Sequence, residues 1–261
     1  MEGNIIFALL LTFFAGFATV IGSVFAFFSK NNNKRFLSFS LGFSAGVMIY
    51  VSMIEIFAKS KEYLILATNI HTGTIITVIS FFAGIFFIGL IDMLIPSGDI
   101  DIEKKSTKHS KNKLKRTGII TALAIGIHNF PEGLATFTSA LKDPHLGIAI
   151  SAAIAIHNIP EGIATSIPIY YSTKSRKKAF IISFLSGMTE PLGAILGYIL
   201  LRPIFNDTMF GIIFGFVAGI MVFISIEELL PLSREYESSH VSIIGVIAGM
   251  LTMAVSLIMF M

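Results

Sequence analysis

The 261-residue sequence contains no cysteine, which excludes disulfide frameworks, thiolate metal sites and thiol catalysis. Any metal site must therefore be built from nitrogen and oxygen ligands. Charge is scarce as well: only 13% of the residues are Asp, Glu, Lys or Arg. There is no HExxH segment to bind the zinc of a protease and no GxxxxGK[ST] loop to cradle a nucleotide phosphate, so neither chemistry is expected. The first apolar stretch, 5–28, has no basic segment before it and follows Glu2, so it reads as a retained span rather than a cleaved signal peptide.

What the chain has in abundance is apolar surface. Hydrophobic residues make up 54% of it and the mean hydropathy is +0.82, far beyond what the core of a soluble domain needs, so the surrounding solvent is expected to be a lipid bilayer. A helix needs about 20 apolar residues to cross a bilayer. The chain offers that pattern at about 5–28, 36–58, 73–95, 117–140, 146–170, 179–201, 209–231 and 241–260. The expected fold class is all-α, a polytopic bundle of eight transmembrane helices forming one transmembrane domain.

Most of the basic residues lie in alternate breaks. The breaks after spans 1, 3, 5 and 7 hold Lys30, Lys34 and Arg35, the Lys-rich stretch 97–116, Lys174 to Lys178, and Arg234, leaving only Lys59, Lys61, Lys142 and Arg202 on the other side. The positive-inside rule then puts the odd-numbered breaks in the cytoplasm and both termini outside it. Residues 97–116 lack apolar periodicity and read as a mobile cytoplasmic loop. The net charge of +3 arises at these edges, which suits anionic headgroups and gives no sign of nucleic-acid binding.

The strongest internal signal is a repeat. AIGIHNFPEGLAT at 124–136 returns as AIAIHNIPEGIAT at 153–165, an offset of 29 residues. That distance is one span plus a short connection, so the copies are expected on adjacent, antiparallel helices, facing each other near mid-membrane as central transporter sites do. His128 and Glu132 are four residues apart, as are His157 and Glu161, while Asn129 and Asn158 precede the same glutamates by three, so each helix presents imidazole, amide and carboxylate on a narrow arc. Pro131 and Pro160 are expected to free the carbonyls of Ile127 and Ile156 and to kink both helices, and Gly133 and Gly162 to permit close helix approach.

An ionised carboxylate at the bilayer centre costs at least a few kcal/mol, and this chain places Glu132 and Glu161 there beside two imidazoles. A divalent cation bridging the two glutamates would offset that cost. Neutral His and ionised Glu are the ligating forms, so its binding should release protons. SGMTEP at 186–191 adds Glu190 in another apolar stretch. Three carboxylates with His and Asn suit one or two intermediate divalent ions such as Zn, Fe, Mn or Co. Met48 and Ser44 in span 2, Glu55 near its outer end, and Glu227 with Glu228 near the inner end of span 7 are candidate pathway residues, and Asp92 closes span 3.

The doubled HNxPEG segments, the basic loop before them, and the segments SGMTEPLG and AGIMVFISIEELLP resemble the ZIP family of zinc and iron permeases, and within it the bacterial ZupT branch, over nearly the whole chain. The resemblance implies a binuclear metal site centred on spans 4 and 5 and uptake of zinc, with iron, manganese and cobalt as further cargo and no catalytic cofactor. It implies that Asn129, Glu132, Asn158, Glu161 and Glu190 match one metal position and Glu132, His157 and Glu161 the other. His128 corresponds to a ligand in some relatives. The chain departs from many members in carrying a single histidine, His109, in the long loop, which speaks against metal sensing there. Two rival readings are an intramembrane metal-dependent hydrolase and an ion-coupled carrier of an organic solute, and a homodimer is a candidate assembly. Against the hydrolase, the acids are doubled symmetrically and no separate nucleophile is evident; the solute carrier leaves the His-Asn pairs idle.

Overall fold

The computed structural model describes residues 2–28, 34–94, 108–201, 206–236 and 239–260, all of them helix or short connection with no strand among them. The helices are α1 (Glu2–Phe28), α2 (Lys34–Tyr50), α3 (Phe57–Ala67), α4 (Ile70–Leu94), α5 (Lys108–Lys142), α6 (Pro144–Thr173), α7 (Arg176–Gly187), α8 (Thr189–Leu201), α9 (Asp207–Ile224), α10 (Leu230–Tyr236) and α11 (Ser239–Phe260). A π-helical turn, Val51–Ile56, joins α2 to α3, and a second, Ser225–Leu229, joins α9 to α10, so each pair runs as one continuous rod. Among the described residues seven such stretches are long and apolar enough to cross a bilayer. The remaining long helix, α5, carries the basic residues of its first turns and one copy of the His-Asn-x-Pro-Glu-Gly segment.

Local chemistry fixes several helix ends. Asp143 caps α6 by accepting hydrogen bonds from the backbone N–H groups of His145 (2.9 Å) and Leu146 (3.4 Å), with Pro144 in the first turn, where its missing N–H costs nothing. Ser175 caps α7 and Asn206 caps α9 in the same way. Lys174 closes α6 in the left-handed region at φ 54°, so the chain can reverse without glycine.

Helices α5 and α6 lie side by side at the centre, connected through Asp143 alone, with α1 packed on α6, α8 on α5, α11 on α2 and α4 on α9. Paired glycines set these crossings. A Cβ at Gly162 would lie 1.8 Å from the Thr19 carbonyl oxygen, and one at Gly22 would lie 2.0 Å from that of Ile159, so α1 and α6 touch backbone to backbone. Gly133 and Gly193 do the same for α5 and α8, with a Cβ placed 2.0 Å from the Glu190 oxygen and 2.1 Å from that of Phe130. Outward faces stay apolar: Phe86 on α4, Leu251 on α11 and Leu10 on α1 are exposed, as lipid contact requires.

Three differences from the sequence reading stand out. Helix α5 begins at Lys108, inside the stretch 97–116 expected to be a loop; residues 108–116 hold no Gly or Pro and are rich in Lys, a good helix former, so a polar helical turn was mistaken for a loop. Residues 97–107 lie outside the described residues. The second span does not stop at 58, because the π turn carries the helix on to Ala67. The third is that the seventh helix does not stop at 231, because the α9–α10 rod continues past the π turn that holds Glu227 and Glu228 to Tyr236. Both prolines of the repeat lie inside unbroken helices.

The breaks after spans 2, 4 and 6 meet at one end of the bundle. Lys142 at the end of α5 pairs with Asp207 at the start of α9 and stands 5.4 Å from the ring centre of Tyr63 on α3 and 5.6 Å from that of Phe210. The even-numbered breaks therefore share a membrane face.

Candidate metal centre

Six side chains singled out in the sequence come together in the interior. Asn129 and Glu132 on α5, His157, Asn158 and Glu161 on α6, and Glu190 on α8 all have no solvent exposure. The helical period explains the first five: residues three and four apart share a face, and α5 and α6 turn those faces toward one another. His157 Nε2 lies 3.5 Å from Glu132 Oε2 across the two helices.

Glu190 arrives by a different device. The sixth span is broken between Gly187 and Thr189, with Met188 as the turn, so Glu190 occupies the first turn of α8, where the helix dipole favours a negative charge. The break is held by Thr189 Oγ1 donating to the Ser186 carbonyl (2.5 Å) and by Ser186 Oγ donating to the Ala122 carbonyl (3.0 Å). Asn129 Nδ2 donates to that same Ser186 carbonyl (3.3 Å), which ties α5 to the break. Asn158 Nδ2 donates to Glu190 Oε1 and to the Ala15 carbonyl of α1 (3.0 Å).

Those donors leave a pattern among the acceptors. Asn129 Oδ1, Glu132 Oε1, Asn158 Oδ1 and Glu190 Oε2 are buried and receive no hydrogen bond. A buried acceptor without a donor costs about 1–3 kcal/mol, more when charged. Four such oxygens drawn from three helices form a set of lone pairs suited to a divalent cation. Among the described residues no group of three or more His, Asp or Glu side chains is close enough to hold a metal ion by itself.

The other candidates fall into place unequally. The backbone of His128 lies on α5 beside Asn129, but its side chain is outside the described residues. Ser44 is buried, with its hydroxyl donating to the His157 carbonyl (3.3 Å), so it ties α2 to α6. Met48 is fully buried in the hydrophobic core on α2. Glu55 is half-buried in the first π turn, within electrostatic reach of Lys59 and Glu62. Glu227 is exposed and Glu228 half-buried in the second π turn.

Two features escaped the sequence reading. The spacing Met-x3-Ser-x2-Glu occurs at Met48, Ser52 and Glu55 and again at Met221, Ser225 and Glu228. In both copies the serine hydroxyl donates to the methionine carbonyl, at 2.6 and 2.7 Å, and the serine carbonyl accepts from the N–H five residues on, which makes the π turn. A self-comparison of the sequence would have found it. The second feature is that Thr136 and Thr165, which end the two copies of the long repeat, are fully buried with hydroxyls that have no partner.

Comparison with known proteins adds an independent finding. The family described as ZIP Zinc transporter matches residues 96–257. The chain is 56% identical over 267 residues to the protein named zinc transporter ZupT of Chlorobium chlorochromatii, with 100% of both chains covered. It is 57% identical over 263 residues to the protein of that name in Streptococcus mutans, again covering 100% of each chain. For the one in Clostridium perfringens the figures are 56% over 276 residues, 98% of this chain and 97% of the relative.

Proposed function

The chain belongs to the ZIP zinc transporter family, a family of membrane transporters rather than enzymes, and we propose that it moves divalent metal ions across the inner membrane into the cytoplasm, with zinc favoured. The observation that carries this reading is the set of buried acceptor oxygens on Asn129, Glu132, Asn158 and Glu190, which no donor in the protein satisfies. A dehydrated dication satisfies them, and the same oxygens repay part of the hydration it gives up.

On this reading the metal is cargo. An ion arriving from outside exchanges water for carboxylate and imidazole at the α5–α6 face, with Glu132 and Glu161 as bridging ligands between two positions. Asn129, Asn158 and Glu190 complete one position and His157 the other, with His128 as a further candidate. Nitrogen and oxygen ligands without thiolate bind at moderate strength and do not exclude iron, manganese or cobalt, so the proposed cargo extends to them. Both termini lie outside the cytoplasm, by the bias of Lys and Arg toward the odd-numbered breaks. A homodimer is part of the proposal and is read from the mass of the detergent-solubilised protein.

Glu132→Ala and Glu161→Ala are expected to abolish cellular zinc accumulation while the protein still reaches the membrane. Undiminished uptake in both variants overturns the proposal. Transport of radioactive zinc by proteoliposomes with no organic substrate present separates it from the hydrolase alternative.

A further inference from the structure

Serine and threonine hydroxyls inside these helices usually bond back to the carbonyl four residues earlier. Thr12 does so to Ala8 (2.9 Å), Thr77 to Gly73 (2.8 Å), Ser139 to Ala135 (2.6 Å) and Ser166 to Gly162 (2.7 Å). This is the cheapest way to satisfy a hydroxyl in an apolar setting. Thr136 and Thr165 break the pattern although their sequence neighbours Thr138, Ser139 and Ser166 obey it. Each is fully buried, and each Oγ1 lacks a partner; Thr19 Oγ1 and Ser38 Oγ also lack one, but they lie outside the repeat.

Their positions are equivalent. Each follows a bridging glutamate by four residues, Glu132 in one copy and Glu161 in the other, and so shares its helical face one turn further on. Because α5 and α6 are antiparallel neighbours, the turn beyond Glu132 leads toward one membrane face and the turn beyond Glu161 toward the other. Four residues of helix rise about 6 Å, roughly the reach of a carboxylate-bound ion plus one water. An unpaired buried hydroxyl costs about 1–3 kcal/mol, and valine has nearly the same shape without that cost. Two hydroxyls left open at symmetric positions therefore point to a partner that comes and goes.

We propose that Thr136 and Thr165 are positioning residues that hydrogen-bond the water still carried by the ion, Thr136 as it reaches the carboxylate layer from outside and Thr165 as it leaves toward the cytoplasm. A hydroxyl suits this task because it both accepts from a metal-bound water and donates to a carboxylate, and, being neutral, it does not trap the ion. The assignment rests on the transport function and orientation proposed above.

The test is initial zinc uptake by intact cells making the wild-type protein, Thr136→Val, Thr165→Val and the two Ser variants, with thermal melts of each purified protein. Losing one water-mediated hydrogen bond of about 1 kcal/mol is worth about fivefold. Thr136→Val is expected to raise KM for external zinc by that factor with the maximal rate kept. Thr165→Val is expected to lower the maximal rate by a similar factor without raising KM. Serine restores both, and the Val variants melt no lower than the wild type, because the hydroxyl each one loses had no partner. If the wild-type protein moves no zinc, the transport reading itself fails. If it does, wild-type kinetics in both Val variants, or a loss that serine does not rescue or that accompanies a lowered melting temperature, overturns the role given to the hydroxyls.

Discussion

Replacing Gly133 by alanine tests whether the α5–α8 contact sets the geometry of the centre. A Cβ there would lie 2.0 Å from the carbonyl oxygen of Glu190 and 2.5 Å from its carbonyl carbon, whereas ordinary contact begins at 3.4 Å, so the backbones must part by about 1.4 Å. The atoms that would have to move belong to Glu190 itself. Its carboxylate is therefore carried away from Glu132 and Asn158, and a displacement of about 1 Å at a reacting centre can cost on the order of 10²-fold in rate. Overpacking of this kind also costs about 1–3 kcal/mol of stability. Gly126 is the matched control: it lies two turns earlier on α5, and the nearest atom to a Cβ there is Thr189 Cγ2 at 3.5 Å. Gly126→Ala fits without movement and adds helix propensity, about 0.5–1 kcal/mol. In zinc uptake by proteoliposomes, Gly133→Ala is expected to lose about 10–100-fold and Gly126→Ala to match the wild type. Wild-type uptake by Gly133→Ala would refute the reasoning, as would equal damage from both substitutions.

Two further outcomes follow from the same contacts. Glu190→Gln keeps an acceptor for Asn158 Nδ2 but removes the charge; KM for zinc should rise about tenfold, the loss of roughly one charge-assisted ligand contact, and an unchanged KM would take Glu190 out of the ligand set. Asp143→Ala removes the cap of α6 formed with His145 and Leu146; the cost is about 1 kcal/mol, a fall of about 2–4 °C in melting temperature for a chain of this size, and an unshifted melt would show that the cap contributes nothing to stability.

The candidate metal centre was legible in unequal measure. Asn129, Glu132, His157, Asn158 and Glu161 could be found because their relation is local: three- and four-residue spacing on a helix fixes a shared face whatever surrounds it. Glu190 could be suspected as an acid in an apolar stretch, but the interruption at Met188 that puts it in the first turn of α8 depends on hydrogen bonds from Ser186 to Ala122 and from Asn129 to Ser186, which link residues far apart in sequence. Ser44 is a candidate pathway hydroxyl from its position in the sequence, and that it also ties α2 to the backbone of α6 could not be read there, for the same reason. The π turns were missed because they accompany a serine hydroxyl that competes for a backbone carbonyl, and the phase shift they bring is confined to a single turn of an otherwise apolar run.

The sequence by itself determined the solvent, the helical class and the arc on which His, Asn and Glu stand together. Apolar length requires a bilayer, a bilayer requires internally satisfied backbone, and the helix so imposed sets which side chains stand together. Tertiary structure alone decided which oxygens remain without donors. That depends on Asn158 turning its amide toward Glu190 and Ala15, on Asn129 turning its own toward Ser186, and on Gly133 and Gly162 letting α8 and α1 come close. These are distances between separate helices, and no local spacing along the chain encodes them.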